Sequence, residues 1–358
     1  MLRNKKPPPE IDMIQRIFLS IALLVISATV YAGARDGRLD IYWIDVEGGA
    51  STLIVTPVGE SVLIDTGNPG FRDAQRIVRV ATELAGIRKI DHLITTHYHG
   101  DHFGGAATLA TLMPIGVVHD NGIFDGMPDN PGKEYFGFAC DKRVVINPGD
   151  KIELKQGSGP NAAPLSLQCL GTRQKFIEPA KDAPENDNAC ASARMKERDG
   201  SDNANSVVLL LGYGPFQFFD AGDLTWNREY DLVCPKNRVG EVDVYQVTHH
   251  GLDSSNNPLV LRTIKPTVAV MNNGFKKGCL PEVFTTLKET QSLQGVYQVH
   301  KNLRPDGETH NVADEYIANK EDDKNCKGNH IQLSLDPTGR TYKVTIPATK
   351  HEREYQTK

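Results

Sequence analysis

The sequence predicts a mixed α/β fold made of two packed layers, and two observations support this class. The 358-residue chain alternates short runs rich in Ile, Val and Leu with longer segments of helical periodicity, and its halves loosely repeat one plan, strands followed by helices. Hydrophobic residues make up 39% of the chain and charged residues 24%, which allows a sizeable core and argues against global disorder.

Local patterns predict the elements of the first half. Apolar runs separated by Gly or Pro turns predict short strands, and apolar residues at helical spacing, such as Ile77, Val80 and Leu84, predict helices. Gly86 ends the longest of these helices. The predicted elements are strands at 39–46, 51–55, 61–65 and 91–96 and helices at 71–85 and 104–112.

The second half is preceded by a region of different composition. Residues 121–203 are dense in Gly, Pro, Asp and Asn and show little periodicity beyond 142–146 and 165–170, which predicts a loop-rich insertion that shapes substrate access. Beyond it, Pro281 suits the first position of a helix. The predicted elements are strands at 206–211, 216–219, 242–248, 267–271 and 296–299, helices at 258–264 and 281–290, and a hairpin of 330–335 with 341–346. The folded domain is therefore placed at 38–347, followed by a polar tail at 348–358.

The N-terminal segment has the pattern of a secretory signal. Basic residues, including Arg3 and Arg16, precede an uncharged apolar run over 17–31, and Ala32 suits the position before a signal-peptidase cut. An uncleaved membrane anchor is the alternative, but this run is shorter than the ~20 apolar residues that a spanning helix needs. We expect residues 1–32 to be removed and the mature protein to be periplasmic or secreted, with no stable membrane partner.

Charge and cysteine content limit the partners and the cellular compartment that the chain fits. Cleavage would remove four positive and two negative charges and change the formal net charge from −5 to −7, so strong binding to nucleic acid is not expected. All six cysteines lie after residue 32 and none forms a CxxC pair. An even count in an exported chain predicts disulfides, with buried free thiols as the alternative. The charge and the cysteines therefore fit an exported protein that does not bind nucleic acid strongly.

Four side chains that commonly bind metal ions lie within six residues: His97, His99, Asp101 and His102, directly after a predicted strand. Alternate residues of an extended segment point the same way, so His97 and His99 are placed to hold one metal ion together. The turn at Gly100 directs Asp101 and His102 toward a second ion close by. A single histidine is commonly structural, but four ligand-type residues at this spacing indicate a catalytic metal site.

This segment, HYHGDH, resembles the HxHxDH signature of the metallo-β-lactamase-fold hydrolases. Four further segments occur in the order of that family: DVEGGAS at 45–51, LIDTG at 63–67, DAGD at 220–223 and THHG at 248–251. The closer resemblance is to the branch that holds the extracytoplasmic domain of competence DNA-uptake (ComEC-type) proteins and the phosphorylcholine esterases. It implies an αββα four-layer sandwich, a hydrolytic activity and two zinc ions.

The resemblance also assigns roles to residues outside the histidine cluster. Asp223 is expected to bridge both metal ions, and one of His249 and His250, with His250 preferred, to be the last ligand of the second ion. His249 is then placed to protonate the leaving group, and it joins Asp101 as a candidate catalytic residue. Asp65 is a candidate for accepting a hydrogen bond from a ligand imidazole, with a turn aspartate that closes its strand as the alternative.

One departure from the family pattern concerns the first metal ion. Most members supply a further histidine shortly before the strand that leads to Asp223, but no histidine occurs between His119 and His249. Asp202, a neighbouring asparagine, or water is expected to take its place. Oxygen ligands would weaken this site or make it suitable for manganese as well as zinc.

The resemblance implies a hydrolase whose two metal ions activate water for attack on a phosphorus or carbonyl centre. The branch favours phosphoester or phosphodiester substrates. Two alternatives stay open: a lactone or β-lactam hydrolase that uses the same site, and a non-catalytic zinc-binding protein that keeps the fold. Pocket shape in the 121–203 insertion would separate the substrate classes, whereas the missing histidine is the one feature that supports a non-catalytic protein.

Overall fold

Two β-sheets packed face to face form the centre of the structure. The computed structural model describes residues 36–158, 162–322 and 324–358, so the predicted signal segment lies outside the described residues. The strands of the first sheet, in spatial order, are β17 (His351–Gln356), β16 (Thr341–Ile346), β15 (Ile331–Leu335), β1 (Leu39–Trp43), β2 (Thr52–Val55), β3 (Ser61–Ile64), β4 (Ile90–Ile94), β5 (Ile115–Asp120) and β6 (Lys142–Val145). Those of the second sheet are β14 (Ile317–Asn319), β13 (Gly295–His300), β12 (Val268–Met271), β11 (Val244–Gln246), β10 (Phe216–Asp220), β9 (Val208–Tyr213), β7 (Leu165–Thr172) and β8 (Lys175–Phe176).

Each sheet combines an antiparallel part with a parallel part. Strands β3 to β6 run parallel in the first sheet, and β10 to β14 run parallel in the second. Parallel strands that are covered on both faces consist of continuous apolar residues, as in β12, whose four residues are all buried. The loops that follow β3, β4, β10 and β11 meet at one end of the sandwich, as expected at the carboxyl ends of parallel strands.

Helices cover the outer face of each sheet and give four layers. Successive side chains of a strand point to opposite faces, so Trp43 and Phe218 lie between the sheets, whereas their neighbours Tyr42 and Phe219 pack under the helices. The αββα sandwich is therefore confirmed. The helices are α1 (Phe71–Arg79), α2 (Gly100–Phe103), α3 (Ala106–Leu112), α4 (Gly132–Gly137), α5 (Asp187–Ala191), α6 (Trp226–Val233), α7 (Pro258–Ile264) and α8 (Pro281–Glu289).

The helix boundaries follow the sequence signals. Helix α1 continues as a π-helical turn over Val80–Leu84, so the helix expected at 71–85 is present. Pro281 begins α8, as its missing N–H allows, and Pro258 begins α7 in the same way. The side chain of Asn257 caps α7 by accepting a hydrogen bond from the backbone N–H of Leu259 at 3.0 Å.

Several regions differ from the sequence-based predictions, and β5 and β14 are strands that those predictions did not include. Residues 121–203 are not only a surface insertion, because they supply β6 to the first sheet and β7 to the second, where β7 pairs with β9. Residues 348–358 are not a tail: β17 pairs with β16 as an edge strand, whose solvent face needs no apolar residues, and Tyr355 is buried. Helix α6 was also not predicted, because the charged residue Glu229 lies among its buried residues and interrupts the apolar pattern of that face.

The cysteine pattern gives one disulfide rather than three. Cys190 and Cys234 are bonded and join α5 to the residue that follows α6. The remaining four are free thiols, as the alternative interpretation allowed: Cys140, Cys169, Cys279 and Cys326. Among the residues that the structure describes, no helix has the length and hydrophobicity to cross a membrane.

Candidate metal centre

The predicted metal ligands converge in one buried centre at the end of the sandwich. The loop after β4 carries residues 97–102, the loop after β10 carries Asp223, and the segment Thr248–Gly251 follows β11. The side chains of His102 and His250, which are 148 positions apart in the chain, are fully buried, and Asp223 is 2% exposed. The fold therefore brings both halves of the chain to the same place.

His97, His99 and Asp223 form the first group of ligand atoms, which lie within 4.8 Å of one another. Nε2 of His97 lies 3.1 Å from Nδ1 of His99 and 3.8 Å from Oδ2 of Asp223. Nδ1 of His97 lies 3.1 Å from Oγ1 of Thr96 and 3.4 Å from Oγ of Ser206, and these hydroxyls orient the ring. His97 and His99 are thus paired, as alternation along an extended segment predicts.

Asp101, His102, Asp223 and His250 form the second group, again within 4.8 Å of one another. The Nε2 atoms of His102 and His250 are 3.2 Å apart and lie 3.1 and 3.3 Å from Oδ2 of Asp223. Oδ2 of Asp101 lies 3.3 Å from Nε2 of His250. Asp223 belongs to both groups, as a bridging carboxylate must. Facing imidazole nitrogens and carboxylate oxygens are the donors that zinc takes, so these residues fit a pair of divalent metal ions.

Asp65 orients the imidazole of His102. Its Oδ2 lies 2.7 Å from Nδ1 of His102 and accepts a hydrogen bond from Oγ1 of Thr96, also at 2.7 Å. Its Oδ1 accepts from the backbone N–H of Thr96 at 2.8 Å. The contact with Nδ1 keeps a proton there and leaves Nε2 free to bind metal. Asp65 closes its strand as well, with a backbone φ of 60°, so both interpretations of this residue describe part of its role.

The buried charges of the centre shift pKa values in opposite directions. Burial acts to raise the pKa of Asp223, but His102, His250 and His249 outweigh it and hold that pKa well below its ordinary value. Burial acts to lower the pKa of His102, but carboxylates, chiefly those of Asp223 and Asp65, raise it well above its ordinary value. The ionised carboxylates therefore attract positive charge, and a bound cation would replace the protons on the imidazoles.

His249 borders the centre without belonging to either group of ligand atoms. It and His250 have φ values of 56° and 55°, a left-handed conformation that is rare for histidine and is found at functional sites. Nε2 of His249 lies 3.4 Å from Oδ2 of Asp223, and its Nδ1 lies 2.9 Å from Oγ of Ser254. Burial lowers the pKa of His249 to about 4, so this side chain is neutral near pH ~7.

Asp202, one of the candidates for the remaining ligand of the first metal ion, lies in neither group of ligand atoms. Its Oδ2 accepts a hydrogen bond from the backbone N–H of Tyr98 at 2.6 Å, and its Oδ1 accepts from the amide of Asn205 at 2.9 Å. Both oxygens therefore hold the turn Asp202–Asn205 against the histidine segment. The first group keeps three protein ligands, which is the ligand number of catalytic zinc sites.

Lys277 is a charged residue of the centre that the sequence patterns did not indicate. Its ammonium group contacts Oδ2 of Asp101, and its side chain is 38% exposed. Lys277 follows β12 and lies 176 positions from Asp101 in the chain. No ligand motif marks a lysine in the sequence. A partly exposed ammonium group beside the metal ligands can bind an anionic substrate.

Comparison with known protein families agrees with this geometry. Residues 44–163, which include β2 to β5 and the histidine cluster, match the family model described as the metallo-beta-lactamase superfamily. The chain contains a metallo-β-lactamase domain. The remaining ligands, Asp223 and His250, lie beyond the matched residues and reach the centre through the second sheet.

The chain is also similar in sequence to three individual proteins. Competence protein ComA of Neisseria gonorrhoeae is 24% identical over 231 residues, which are 64% of this chain and 26% of that protein. Recombination protein 2 of Haemophilus influenzae is 24% identical over 261 residues, 72% of this chain and 27% of that protein. A UPF0173 metal-dependent hydrolase of Cupriavidus metallidurans is 33% identical over 133 residues, 36% of this chain and 40% of that protein.

These similarities confirm the predicted resemblance to the competence-protein branch. The chain spans about a quarter of the length of ComA and of Recombination protein 2, and about two fifths of the length of the hydrolase.

Proposed function

We propose that this protein is an exported, two-metal hydrolase that cleaves phosphoester or phosphodiester bonds in small substrates. One observation carries the proposal: Nε2 atoms of three histidines and the carboxylate of Asp101 surround Asp223 in two adjoining groups that share its carboxylate. A purely structural metal site is closed by four ligands to one ion, whereas this centre is extended and the first group has three ligands.

Each side chain of the centre has a task in this proposal. Two divalent cations, when bound, supply activated water and stabilise the negative charge that develops on the substrate. Asp65 keeps the ring of His102 in the orientation that presents Nε2. Asp223 holds both groups at a fixed separation. The ligands of the first ion are His97, His99 and Asp223, and those of the second are Asp101, His102, His250 and Asp223.

His249 is the proposed proton carrier. It is neutral at rest, lies beside Asp223 and is oriented by Ser254, so it can accept a proton as water attacks and then donate it to the departing oxygen. This refines the sequence-based role, in which His249 acted only as a donor.

Zinc is the proposed metal at both positions. The first group offers two imidazoles and one carboxylate, a donor set that suits zinc. Of the oxygen ligands that would make this position suitable for manganese as well, Asp202 loses support because both of its oxygens accept hydrogen bonds elsewhere, whereas a neighbouring asparagine or water stays the alternative.

The preference for phosphoesters is supported by charge at the centre. Lys277 places an ammonium group beside the ligand Asp101, where it can neutralise an anionic group of the substrate. The net charge, −5 for the full chain and −7 without residues 1–32, argues against long polyanions, so fragments and small esters are favoured over intact nucleic acid. The name of the hydrolase from Cupriavidus metallidurans supports metal-dependent hydrolysis but does not specify a substrate.

Export is supported by the signal-like segment and by the disulfide between Cys190 and Cys234, because disulfides persist in oxidising compartments. N-terminal sequencing of protein recovered from the envelope or the medium tests it. A mature chain that begins at or near Gly33 is expected, and a membrane-fixed chain that begins at Met1 would show an anchor instead.

The reaction is tested with a panel of chromogenic substrates. Bis(p-nitrophenyl) phosphate is expected to be cleaved faster than a lactone or a β-lactam, with activity lost on chelation and restored by Zn²⁺. Faster cleavage of the lactone or the β-lactam would replace the phosphodiesterase proposal and keep the metal centre. A protein that binds two ions yet cleaves no member of the panel would support a non-catalytic zinc-binding role.

A further inference from the structure

A second cluster of metal-ligand side chains lies outside the centre described above. Asp45, Glu47, His300 and Cys326 each offer one ligand atom, and these atoms all lie within 4.8 Å of one another. Asp45 and Glu47 follow β1 of the first sheet, and His300 is the last residue of β13 in the second sheet. Cys326 lies in the connection between β14 and β15. The cluster therefore joins both sheets and a long loop.

The four side chains are held close together and are largely buried. Nε2 of His300 lies 2.6 Å from Oδ1 of Asp45 and 3.7 Å from Oε2 of Glu47. Sγ of Cys326 lies 3.0 Å from Oδ2 of Asp45. The side chains of Asp45 and His300 are 0% exposed and that of Glu47 is 4% exposed. Imidazole, thiolate and carboxylate are the three donor types that zinc binds in proteins.

Two buried atoms of the cluster lack a hydrogen-bond partner, Nδ1 of His300 and Oε2 of Glu47, and the second of these indicates a ligand. Oε2 of Glu47 is buried and has no hydrogen-bond partner among the described residues, although it faces the ring nitrogen of His300. The other carboxylate oxygen, Oε1, is paired with Arg76 at 3.1 Å. A buried carboxylate oxygen without a partner is costly, and a cation bound between Glu47 and His300 would satisfy it.

The charge of the cluster also suits a divalent cation. Arg76 contacts both Asp45, at 2.9 Å, and Glu47, so one positive charge is already present. Two carboxylates and the thiolate of Cys326 carry three negative charges in total. Arg76 and one divalent ion balance them, and the ring of His300 stays neutral. Arg76 therefore orients the carboxylates and does not exclude a metal ion.

We propose that Asp45, Glu47, His300 and Cys326 bind a structural zinc ion. All four ligands come from the protein, as in closed structural sites, so this ion would stabilise the fold and take no part in hydrolysis. Binding forms a zinc–thiolate bond and releases the proton of Cys326 to solvent. The ion would fasten the ends of β1 and β13 and the loop before β15 to one another. This inference does not depend on the proposed hydrolytic function.

Cobalt provides a direct test because a thiolate bound to Co²⁺ gives a charge-transfer band in the near ultraviolet. Neither ligand group of the main centre contains a cysteine, so this band reports on the second cluster alone. Co²⁺ is titrated into the metal-stripped protein, and the bound metal is counted after removal of the excess. We expect the band to saturate at one cobalt per chain in addition to the ions of the main centre.

Matched variants assign the band. Cys326→Ser is expected to lose the band and one bound ion. Glu47→Gln is expected to stay folded and to need a higher Co²⁺ concentration for the band to reach half its maximum. Cys140→Ser is the control, because Cys140 is also a free, partly exposed thiol but belongs to no ligand group among the described residues. It should keep both the band and the ion. His102→Ala should also keep the band.

Two results would overturn the proposal. A wild-type protein saturated with Co²⁺ that shows no thiolate band would mean that the cluster is an ion-paired contact without metal, and this result requires no variant to fold. A band that persists in Cys326→Ser would assign it to another thiol. A protein with the band but without hydrolytic activity would contradict only the proposed function.

Discussion

Replacing Asp65 by asparagine tests whether this residue controls metal binding through His102. Asparagine has nearly the same size and tolerates the left-handed backbone that Asp65 adopts at φ 60°, so the loop should keep its shape. The amide, however, has only one acceptor oxygen. Asp65 now accepts from the N–H of Thr96 on one oxygen and from His102 on the other, so an amide nitrogen must oppose one of these donors.

The expected loss of zinc affinity follows from the contact between residue 65 and the imidazole of His102. An amide N–H opposite Nδ1 of His102 favours the tautomer that carries its proton on Nε2, and that nitrogen can then no longer bind metal. Loss of such an orienting partner lowers metal affinity ~10–100-fold, or about 1.4–2.7 kcal/mol of binding free energy. Competition with a chromogenic chelator measures the zinc affinity of wild type and variant.

The matched control is Asp91→Asn in the neighbouring strand. Asp91 also accepts hydrogen bonds, from the N–H and the hydroxyl of Ser61, but it lies at the start of β4, at the opposite end of the strand from the metal centre. This variant should keep the zinc affinity of the wild type. The reasoning is refuted if Asp65→Asn binds zinc as tightly as the wild type, or if both variants lose affinity equally.

Three further predictions concern stability and catalysis. Burial raises the pKa of Glu229 from 4.5 to about 7. The folded state therefore binds this proton more tightly than the unfolded chain does. The free energy of unfolding should fall by ~3 kcal/mol as pH rises from ~4.5 through ~7. Glu229→Gln should remove this part of the fall, as urea unfolding at pH ~5 and ~8 would measure, and an unchanged pH dependence would contradict it. The disulfide between Cys190 and Cys234 closes a separation of 44 residues, so replacing both cysteines by serine should lower the free energy of unfolding by ~4 kcal/mol, whereas Cys140→Ser should change it little. His249→Gln should retain both metal ions and lower kcat ~10²–10⁴-fold, with a smaller loss for p-nitrophenolate, which needs little protonation; loss of metal would instead make His249 a ligand.

The parts of the fold and the site that local patterns encode were predictable from the sequence. Strand β4 and the histidines that follow it are contiguous, so their alternation and the turn at Gly100 already separate two ligand pairs. Pro281 and the apolar periodicity of α1 predicted the helices α8 and α1 in the same way. Asp223 and His250 were predictable only through family resemblance, because the second sheet brings them to the centre from distant positions.

The parts that depend on tertiary contacts were not predictable. Asp202 has the residue type and position of a ligand, but the N–H of Tyr98 and the amide of Asn205 use both of its oxygens. Strand β17 carries polar residues, and its pairing with β16 rather than its own pattern makes it a strand. No sequence motif marks Lys277 or the second cluster as a whole: Asp45 and Glu47 lie in the segment 45–51, but His300 reaches Asp45 across 255 positions of the chain.

The number of metal ions bound around Asp223 tests the central claim most directly. The measurement is the metal content of the purified Cys326→Ser chain, in which the main centre alone should contribute, with and without the change Asp223→Ala. Because Asp223 belongs to both ligand groups, we expect about two zinc ions per chain to fall to one or none when its carboxylate is removed. Equal metal content in the two proteins would contradict a metal centre built on Asp223.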